Sequence, residues 1–300
     1  MAKLSLKQRF LDPRPESHRP RRAAYALPTL FTAGNIFLGF LAILRAVEGA
    51  LLAASGQLGS NPHFEVAAKA IGVAVVLDGL DGRIARMTNT VSAFGRELDS
   101  LADVITFGVA PALLAWIWGF RMLPAGPYSD LRFHLVRLGF VASFVFLITG
   151  AARLARFNIQ VNPQPSNPGR PGKKYFVGMP IPAGAGVIAA VVHFSKGDPL
   201  FTWWLSAVWL LLLLATGFLM VSTWRFYSFK DIDLRSRHPF TVIVLVGGLI
   251  ASVALFSRYA LFVIALTYML SGVVVRLFYI LRPRRSTTPP ASYTEAPEAR

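Results

Sequence analysis

Long apolar stretches, separated by short polar or basic segments, recur along most of this chain. Each stretch is close to the roughly 20 residues that a helix needs to cross the hydrocarbon core of a bilayer. Because lipid offers no hydrogen-bond partners to the backbone, such a stretch is expected to be an α-helix. The pattern predicts an all-α, polytopic membrane protein with about eight transmembrane helices, at 28–48, 64–86, 93–120, 133–157, 179–195, 200–221, 239–257 and 259–280.

The segments that flank this apolar region are polar. Residues 1–27 are basic and lack the apolar core and cleavage site of a secretory signal, so we expect a cytosolic arm. Residues 283–300 are polar and proline-rich and are expected to be disordered. No internal repeat or linker divides residues 28–282, which are therefore predicted to form one transmembrane domain.

Lysine and arginine alternate between the connections of the predicted helices. They are concentrated in the amino-terminal arm, the fourth-to-fifth and sixth-to-seventh connections and the carboxyl-terminal tail, whereas the other connections hold few. Cytoplasmic loops of membrane proteins accumulate positive charge. The distribution predicts an even number of spans with both termini in the cytosol, and we expect a bacterial inner membrane.

Composition supports a membrane protein and narrows its partners. The chain is 54% hydrophobic and only 15% charged, whereas soluble domains are nearer a quarter charged. Its net charge of +16 would suggest nucleic acid in a soluble protein. Here the basic residues lie between apolar segments, so membrane lipids and phosphate-bearing substrates are the expected partners and nucleic acid is not. The absence of cysteine excludes disulfides and thiolate metal sites.

Acidic residues are concentrated in the second and third apolar segments. A charge inside a membrane is energetically costly, so a charged residue there usually has a function. Asp78 and Asp81 lie in the second segment, and Asp99 and Asp103 lie in the third. Steps of three and four residues return to the same face of a helix. The short connection at 87–92 makes the two helices antiparallel neighbours. The four carboxylates are therefore predicted to converge near the cytosolic membrane boundary.

Clustered carboxylates repel one another unless they are protonated, paired or bound to cations. Oxygen-only ligands favour hard cations, so two divalent metal ions, Mn²⁺ or Mg²⁺, are the expected cofactors. Such a pair can clamp a pyrophosphate, and Gly82 and Gly95 would let a nucleotide approach the backbone. The alternatives are structural pairing with Arg83, Arg86 and Arg96, an inert scaffold, or a transporter that uses the aspartates as a cation pathway.

The spacing of these residues is D-x2-D-G-x2-A-R, eight residues, then G-x3-D-x3-D, from Asp78 to Asp103. It resembles the signature of the CDP-alcohol phosphotransferase family at every defined position. The resemblance implies that family's helical bundle, with Asp78 and Asp99 bridging both metal ions. Asp81 would complete the first metal site and Asp103 the second, and Asp103 would act as general base. The residues expected to bind CDP-diacylglycerol are Gly82, Ala85, Arg86, Ser92, Gly95, Thr32 and Asn35; for Thr32 and Asn35 the alternative is polar packing between helices.

Further segments resemble the integral-membrane phosphatidylserine synthase branch of that family; they lie at 28–35, 97–111, 152–158, 178–183 and 220–230. The chain departs from the usual forms at Thr29, where asparagine is usual, and at 179–182, where Leu-Pro-Ser-Pro is usual. The resemblance implies CDP-diacylglycerol and L-serine as substrates, phosphatidylserine and CMP as products, and a homodimer. Choline, inositol or glycerol 3-phosphate remain alternative acceptors.

Binding the carboxylate of serine requires an arginine pair near the metal ions. Arg153 and Arg156 lie about one helical turn apart at the cytosolic end of the fourth predicted helix. They are candidates for serine or lipid phosphate binding, and Lys230 is a further headgroup candidate; the alternative is anchoring at the cytosolic interface. No histidine starts a His-x-Lys pair. Direct single displacement is therefore favoured over a covalent phosphohistidine intermediate.

Overall fold

The computed structural model describes residues 22–55, 61–88, 93–124, 129–159, 175–228 and 239–281, with backbone alone at 22–29, 81–88, 93, 239–243 and 245. The described elements are α1 (Arg22–Ala54), α2 (Pro62–Thr88), α3 (Ala93–Asp103), π1 (Val104–Val109), α4 (Ala110–Trp116), π2 (Ile117–Arg121), α5 (Ser129–Ile159), β1 (Tyr175–Val177), α6 (Ile181–Phe194), α7 (Trp203–Val221), β2 (Arg225–Tyr227) and α8 (Pro239–Leu281). Most of residues 1–27, and the predicted tail at 283–300, lie outside the described residues.

The described part of the chain is nearly all helical and confirms a polytopic membrane fold. Five of its helices are long and apolar enough to cross a membrane. They are Leu30–Ala54, Phe94–Arg121, Ser129–Ile159, Trp203–Val221 and Val246–Leu281. The predicted number of eight spans is not confirmed. Helix α2 carries several charges and α6 has only 14 residues, so neither is among these five.

Helix α8 contains both the seventh and the eighth predicted spans. It covers 43 residues, and two helical halves meet at Phe256, whose backbone is non-helical (φ −130°, ψ 42°). This residue lies one position before the end that the sequence pattern predicts for the seventh segment, at 257. Hydropathy therefore located the junction between the two halves, although it did not predict that they would form one kinked helix.

The short helix α6 lies at the centre of the bundle. It contacts α2, α4, α5, α7, α8 and π1, and its residues Ile181, Ala185, Ile188 and Val192 are buried. A helix that is apolar on all sides is typical of such a central position. Around it, α1 packs along α2, and α5 packs along α7. Large apolar side chains face outward on α1, α5, α7 and α8, as expected of surfaces that contact lipid.

A two-stranded antiparallel sheet, which the sequence pattern did not predict, links the α5–α6 and α7–α8 connections. It pairs Tyr175 with Tyr227, Phe176 with Phe226 and Val177 with Arg225. Phe226 is fully buried and packs where Gly272 of α8 leaves room for its ring. Strands of three residues are too short to show an alternating pattern. We call this pair of strands the β1–β2 sheet.

A polar network joins α2, α6 and α8 near the amino-terminal end of α2. The Oε1 atom of Glu65 lies 3.1 Å from Lys69 Nζ, 3.4 Å from His193 Nδ1 and 3.4 Å from Arg258. His193 Nε2 lies 3.1 Å from the Ser257 hydroxyl, next to the junction in α8. Glu65 precedes Asp78 by 13 residues, which is about 20 Å along a helix. The network therefore fixes the fold far from the aspartates.

Candidate active site

Three of the four predicted aspartates come together between α2 and α3. One carboxylate oxygen from each of Asp78, Asp99 and Asp103 lies within 4.8 Å of the others. Asp78 and Asp99 are half-buried, and Asp103 is buried. Asp99 and Asp103 are four residues apart on α3 and so share the face directed at α2. Charges this close require a cation or protons, and an oxygen-only set of ligands suits Mg²⁺ or Mn²⁺.

The remaining signature residues on α2 are placed by their backbone alone. Asp81, Gly82, Ala85 and Arg86 follow Asp78 within the last turns of α2, at steps of three and four residues that keep them near one face. Their side chains lie outside the described part of the structure, and so does the whole of Ser92. The roles predicted for these residues stay predictions. Gly95 lies one turn before Asp99 on α3, on the face that carries the aspartates.

A π-helix begins directly after Asp103 and sets the position of that residue against α1. The Thr106 hydroxyl, in π1, donates a hydrogen bond of 3.0 Å to the carbonyl of Asn35. At Gly39, one turn further along α1, a Cβ atom would lie only 2.5 Å from Thr106 Oγ1. The glycine therefore permits the close approach of α1 to π1. Short π-helical segments are frequent at functional sites.

Thr32 and Asn35 are both buried on the α1 face that meets this region. Asn35 is 0% exposed, and neither its Oδ1 nor its Nδ2 atom has a hydrogen-bond partner among the described residues. An amide buried without partners is costly, because it loses its bonds to water without replacement. Such a group indicates a ligand or a neighbouring segment that satisfies it. This observation agrees with the nucleotide contact expected of Asn35.

Arg153 is a buried cation close to the aspartates. It is 7% exposed, interacts electrostatically with Asp103 and Tyr268, and lies over the ring of Phe157 at 5.6 Å. Its Nε atom has no hydrogen-bond partner among the described residues. A guanidinium with unused donors beside a carboxylate cluster is suited to bind an anionic group of a substrate.

Arg156, predicted to act with Arg153, lies in a different environment. Its guanidinium donates hydrogen bonds to three backbone carbonyls: Val221 at 3.0 Å, Val177 at 3.3 Å and Ser222 at 3.4 Å. Arg156 therefore connects the end of α5 to β1 and to the end of α7. Its predicted contact with substrate stays a prediction, and Lys230 lies outside the described residues.

Two contributions to the site were not found from the sequence. Asn158 donates a hydrogen bond of 2.9 Å to Ser100, the residue after Asp99, and so ties α5 to α3. Tyr268 of α8 donates a hydrogen bond of 3.3 Å to the carbonyl of Tyr227, and so ties the last described helix to β2. A tyrosine in an apolar segment is typical of an interfacial belt, so the sequence carried no signal for this role.

Comparison with known proteins places this geometry in a family. The family described as CDP-alcohol phosphatidyltransferase matches residues 25–215, which include all four aspartates. The chain is 35% identical over 269 residues to the CDP-diacylglycerol–serine O-phosphatidyltransferase of Helicobacter pylori (strain ATCC 700392 / 26695), with 88% of this chain and 96% of the relative covered.

Proteins with the same name from two other bacteria are also similar. The Mycobacterium leprae (strain TN) protein is 32% identical over 261 residues, with 84% of this chain and 75% of the relative covered. The Bacillus subtilis (strain 168) protein is 34% identical over 209 residues, with 68% of this chain and 91% of the relative covered. The chain belongs to the CDP-alcohol phosphatidyltransferase family.

Proposed function

We propose that this protein transfers the phosphatidyl group of CDP-diacylglycerol to L-serine, giving phosphatidylserine and CMP. The observation that carries the proposal is the convergence of Asp78, Asp99 and Asp103 within 4.8 Å, beside the buried Arg153. The names of the similar proteins favour serine as the acceptor. The hydroxyl of the acceptor, the pyrophosphate linkage of CDP-diacylglycerol and the serine carboxylate would each find a suitable group here.

The carboxylates fit a pair of divalent cations, Mn²⁺ or Mg²⁺. Asp78 and Asp99 would bridge both ions, Asp81 would complete the first site, and Asp103 would complete the second. When bound, such ions neutralise the charge of the pyrophosphate and of the departing CMP. The mutual repulsion of clustered carboxylates favours metal binding, because each added cation relieves it.

Asp103 is the proposed general base. In the transfer step it accepts the proton of the serine hydroxyl while the serine oxygen forms a bond to the phosphorus of the phosphatidyl group. The bond from that phosphorus to the oxygen shared with CMP breaks, and CMP leaves with the electron pair. A positioned base of this kind contributes about 10²- to 10⁴-fold to a rate. Burial of Asp103 limits access of water that would otherwise compete with serine.

The neighbouring residues would bind and orient the two substrates. Arg153 would pair with the serine carboxylate; the support is its buried Nε atom, which has no hydrogen-bond partner among the described residues, and its electrostatic interaction with Asp103. Arg156 and Lys230 would attract lipid phosphates. The proposed contacts to CDP-diacylglycerol are Gly82, Ala85, Arg86, Ser92, Gly95, Thr32 and Asn35, of which the buried Asn35 amide has the strongest structural support.

The proposed setting is a bacterial inner membrane, with both termini and the aspartates on the cytosolic side. Serine and CMP would exchange with the cytosol, while the lipid substrate and product would move laterally between helices. A homodimer is the proposed assembly. The support for this orientation is the alternation of basic connections along the chain.

An acceptor panel tests the proposed function. Purified protein would be given CDP-diacylglycerol with labelled L-serine, glycerol 3-phosphate, inositol or choline, with Mn²⁺, with Mg²⁺ or with a chelator. We expect CMP release and label in lipid with serine and a metal ion, and neither with the chelator. Preference for another alcohol would overturn the serine assignment, whereas metal flux without CMP release would overturn the transferase itself.

A further inference from the structure

The helix that carries Asp99 and Asp103 is short. Helix α3 has 11 residues, packs against α1 and continues into π1. A helix of this length has little stability of its own and depends on contacts with its neighbours. The positions of its two aspartates relative to Asp78 of α2 are therefore set by the side chains that hold α3 in the bundle.

One of these contacts comes from the last turn of α5. The Nδ2 atom of Asn158 donates a hydrogen bond of 2.9 Å to the Ser100 hydroxyl, which itself donates one of 3.0 Å to the carbonyl of Arg96. A hydroxyl donates one hydrogen bond and accepts up to two, so both bonds can form together. Ser100 lies between Asp99 and Asp103 in the chain. The bond from Asn158 therefore attaches α5 to α3 at the proposed metal ligands.

The segment around Asp103 is held from two sides. Three residues before Asp103, the Ser100 hydroxyl accepts the hydrogen bond from Asn158 of α5. Three residues after it, the Thr106 hydroxyl donates to the Asn35 carbonyl of α1. Two different helices thus fix residues 100–106, which contain the proposed base.

The end of α5 is itself anchored, although Asn158 is exposed and α5 ends one residue later. Two residues earlier, Arg156 donates hydrogen bonds to the backbone carbonyls of Val177, Val221 and Ser222. Helix ends without such contacts open easily. Because this end is bonded to β1 and to the end of α7, Asn158 can serve as a fixed support for α3.

We propose that Asn158 is a positioning residue for the metal site. Its hydrogen bond to Ser100 holds α3 in the orientation that brings Asp99 and Asp103 to Asp78, so that the three carboxylates are in place before a divalent cation binds. Groups that orient metal ligands commonly change metal affinity by about 10- to 100-fold. The inference rests on the proposed function, because it takes these aspartates as metal ligands.

The test is Asn158→Ala in the full-length protein. Mn²⁺ binding is measured in detergent without substrate, from the electron paramagnetic resonance signal of the free ion. We expect the Kd for Mn²⁺ to rise about tenfold, at the lower end of that range because Asn158 acts through the helix. The kcat at saturating Mn²⁺ and the Tm of the metal-free protein should change little, since the side chain is exposed.

Asn61→Ala is the matched control, because it also removes an asparagine that joins two helical segments. Asn61 donates a hydrogen bond of 2.8 Å to the carbonyl of Gly49, and so ties the residue before α2 to α1. It precedes Asp78 by 17 residues, which is about 25 Å along a helix. Its loss should lower the Tm and leave the Kd for Mn²⁺ unchanged.

Substitutions of Ser100 separate this hydrogen bond from a general effect. Ser100→Ala should raise the Kd as much as Asn158→Ala, Ser100→Thr should bind Mn²⁺ as the wild type does, and the double alanine variant should be no weaker than either single variant. An unchanged Kd in Asn158→Ala, or additive effects of the two alanines, would overturn the inference. Binding is measured without turnover, so a wild-type protein that binds Mn²⁺ and does not transfer to serine would overturn the proposed function alone.

Discussion

Asp99 and Asp103 lie on one face of α3, and Asp78 of α2 faces them. At the scale of single residues, these carboxylates repel one another. The side chains that would hold metal ions are therefore expected to lower the stability of the metal-free protein. Each predicted ligand is therefore expected to support activity while lowering the stability of the metal-free protein. A substitution at one of them can show the two effects separately.

Asp99→Asn should abolish transfer, lowering the rate by about 10³-fold or more, because it removes a proposed bridging ligand. It should leave the metal-free protein as stable as the wild type or slightly more stable, since one repelling charge is lost. Thermal unfolding in detergent checks this, with and without Mn²⁺. The metal ion should raise the Tm of the wild type and not that of the variant.

Asp130→Asn is the matched control, because Asp130 is exposed in the first turn of α5. It should retain full transfer activity and the Mn²⁺-dependent rise in Tm. If Asp99→Asn kept both properties as well, the aspartate cluster would not be the metal site.

At the scale of elements, α1 and π1 approach each other closely at Gly39. Gly39 has no side chain, and this absence allows the Thr106 hydroxyl to reach the Asn35 carbonyl. The contact holds the segment that immediately follows Asp103. A small change on α1 is therefore transmitted to the proposed base.

Gly39→Ala should displace π1, because its new Cβ atom would lie 2.5 Å from Thr106 Oγ1 and 2.8 Å from Thr106 Cα. Overpacking of this kind costs about 1–3 kcal/mol in stability. A displacement of the base should also lower kcat by about 10²-fold. Steady-state kinetics and thermal unfolding measure the two effects.

Gly34→Ala provides the comparison on the same helix, since a Cβ atom there has no neighbour within 4 Å. It should leave kcat unchanged. Equal behaviour of the two alanine variants would show that the approach of α1 to π1 does not control the site.

The β1–β2 sheet is joined to α5 by Arg156. Arg156→Lys keeps the positive charge but cannot reach three carbonyls from one planar group. We expect a loss of about 1–2 kcal/mol in stability, seen as a lower Tm. Arg137→Lys, at an exposed site on the same helix, should leave the Tm unchanged. A normal Tm for Arg156→Lys would show that this residue only anchors the interface.

At the scale of the whole molecule, the bundle has two different ends. The aspartates, Arg153 and the β1–β2 sheet lie near one end, and the network centred on Glu65 lies about 20 Å away along α2. The network at this second end holds α2, α6 and α8 together. The proposed orientation places the first end in the cytosol.

The absence of cysteine from the chain makes this orientation directly testable. Lys196→Cys and Thr223→Cys place a single thiol at exposed positions after α6 and after α7. A membrane-impermeant maleimide should label Lys196→Cys in intact bacterial cells and label Thr223→Cys only after permeabilisation. The opposite pattern would reverse the topology, and labelling of both in intact cells would contradict the predicted passage of α7 through the membrane.

The membrane class, the family and three of the converging residues follow from the amino-acid sequence alone. Hydropathy locates the helices because an apolar segment that crosses lipid must satisfy its backbone hydrogen bonds internally, as a helix does. Fixed steps of three and four residues place Asp99 and Asp103 on one face. The short connection to the preceding helix makes Asp78 their neighbour. These are local constraints, so they can be deduced without knowing how distant segments pack.

The contacts between distant segments depend on how the helices pack in three dimensions. The Thr106–Asn35 hydrogen bond joins residues 71 positions apart, and the Asn158–Ser100 hydrogen bond joins residues 58 positions apart. The π-helix after Asp103 and the three-residue strands leave no periodic signal in the sequence. Which of two similar arginines donates to backbone carbonyls depends on the packing around each. Packing of this kind is a property of the whole bundle, so no local pattern records it.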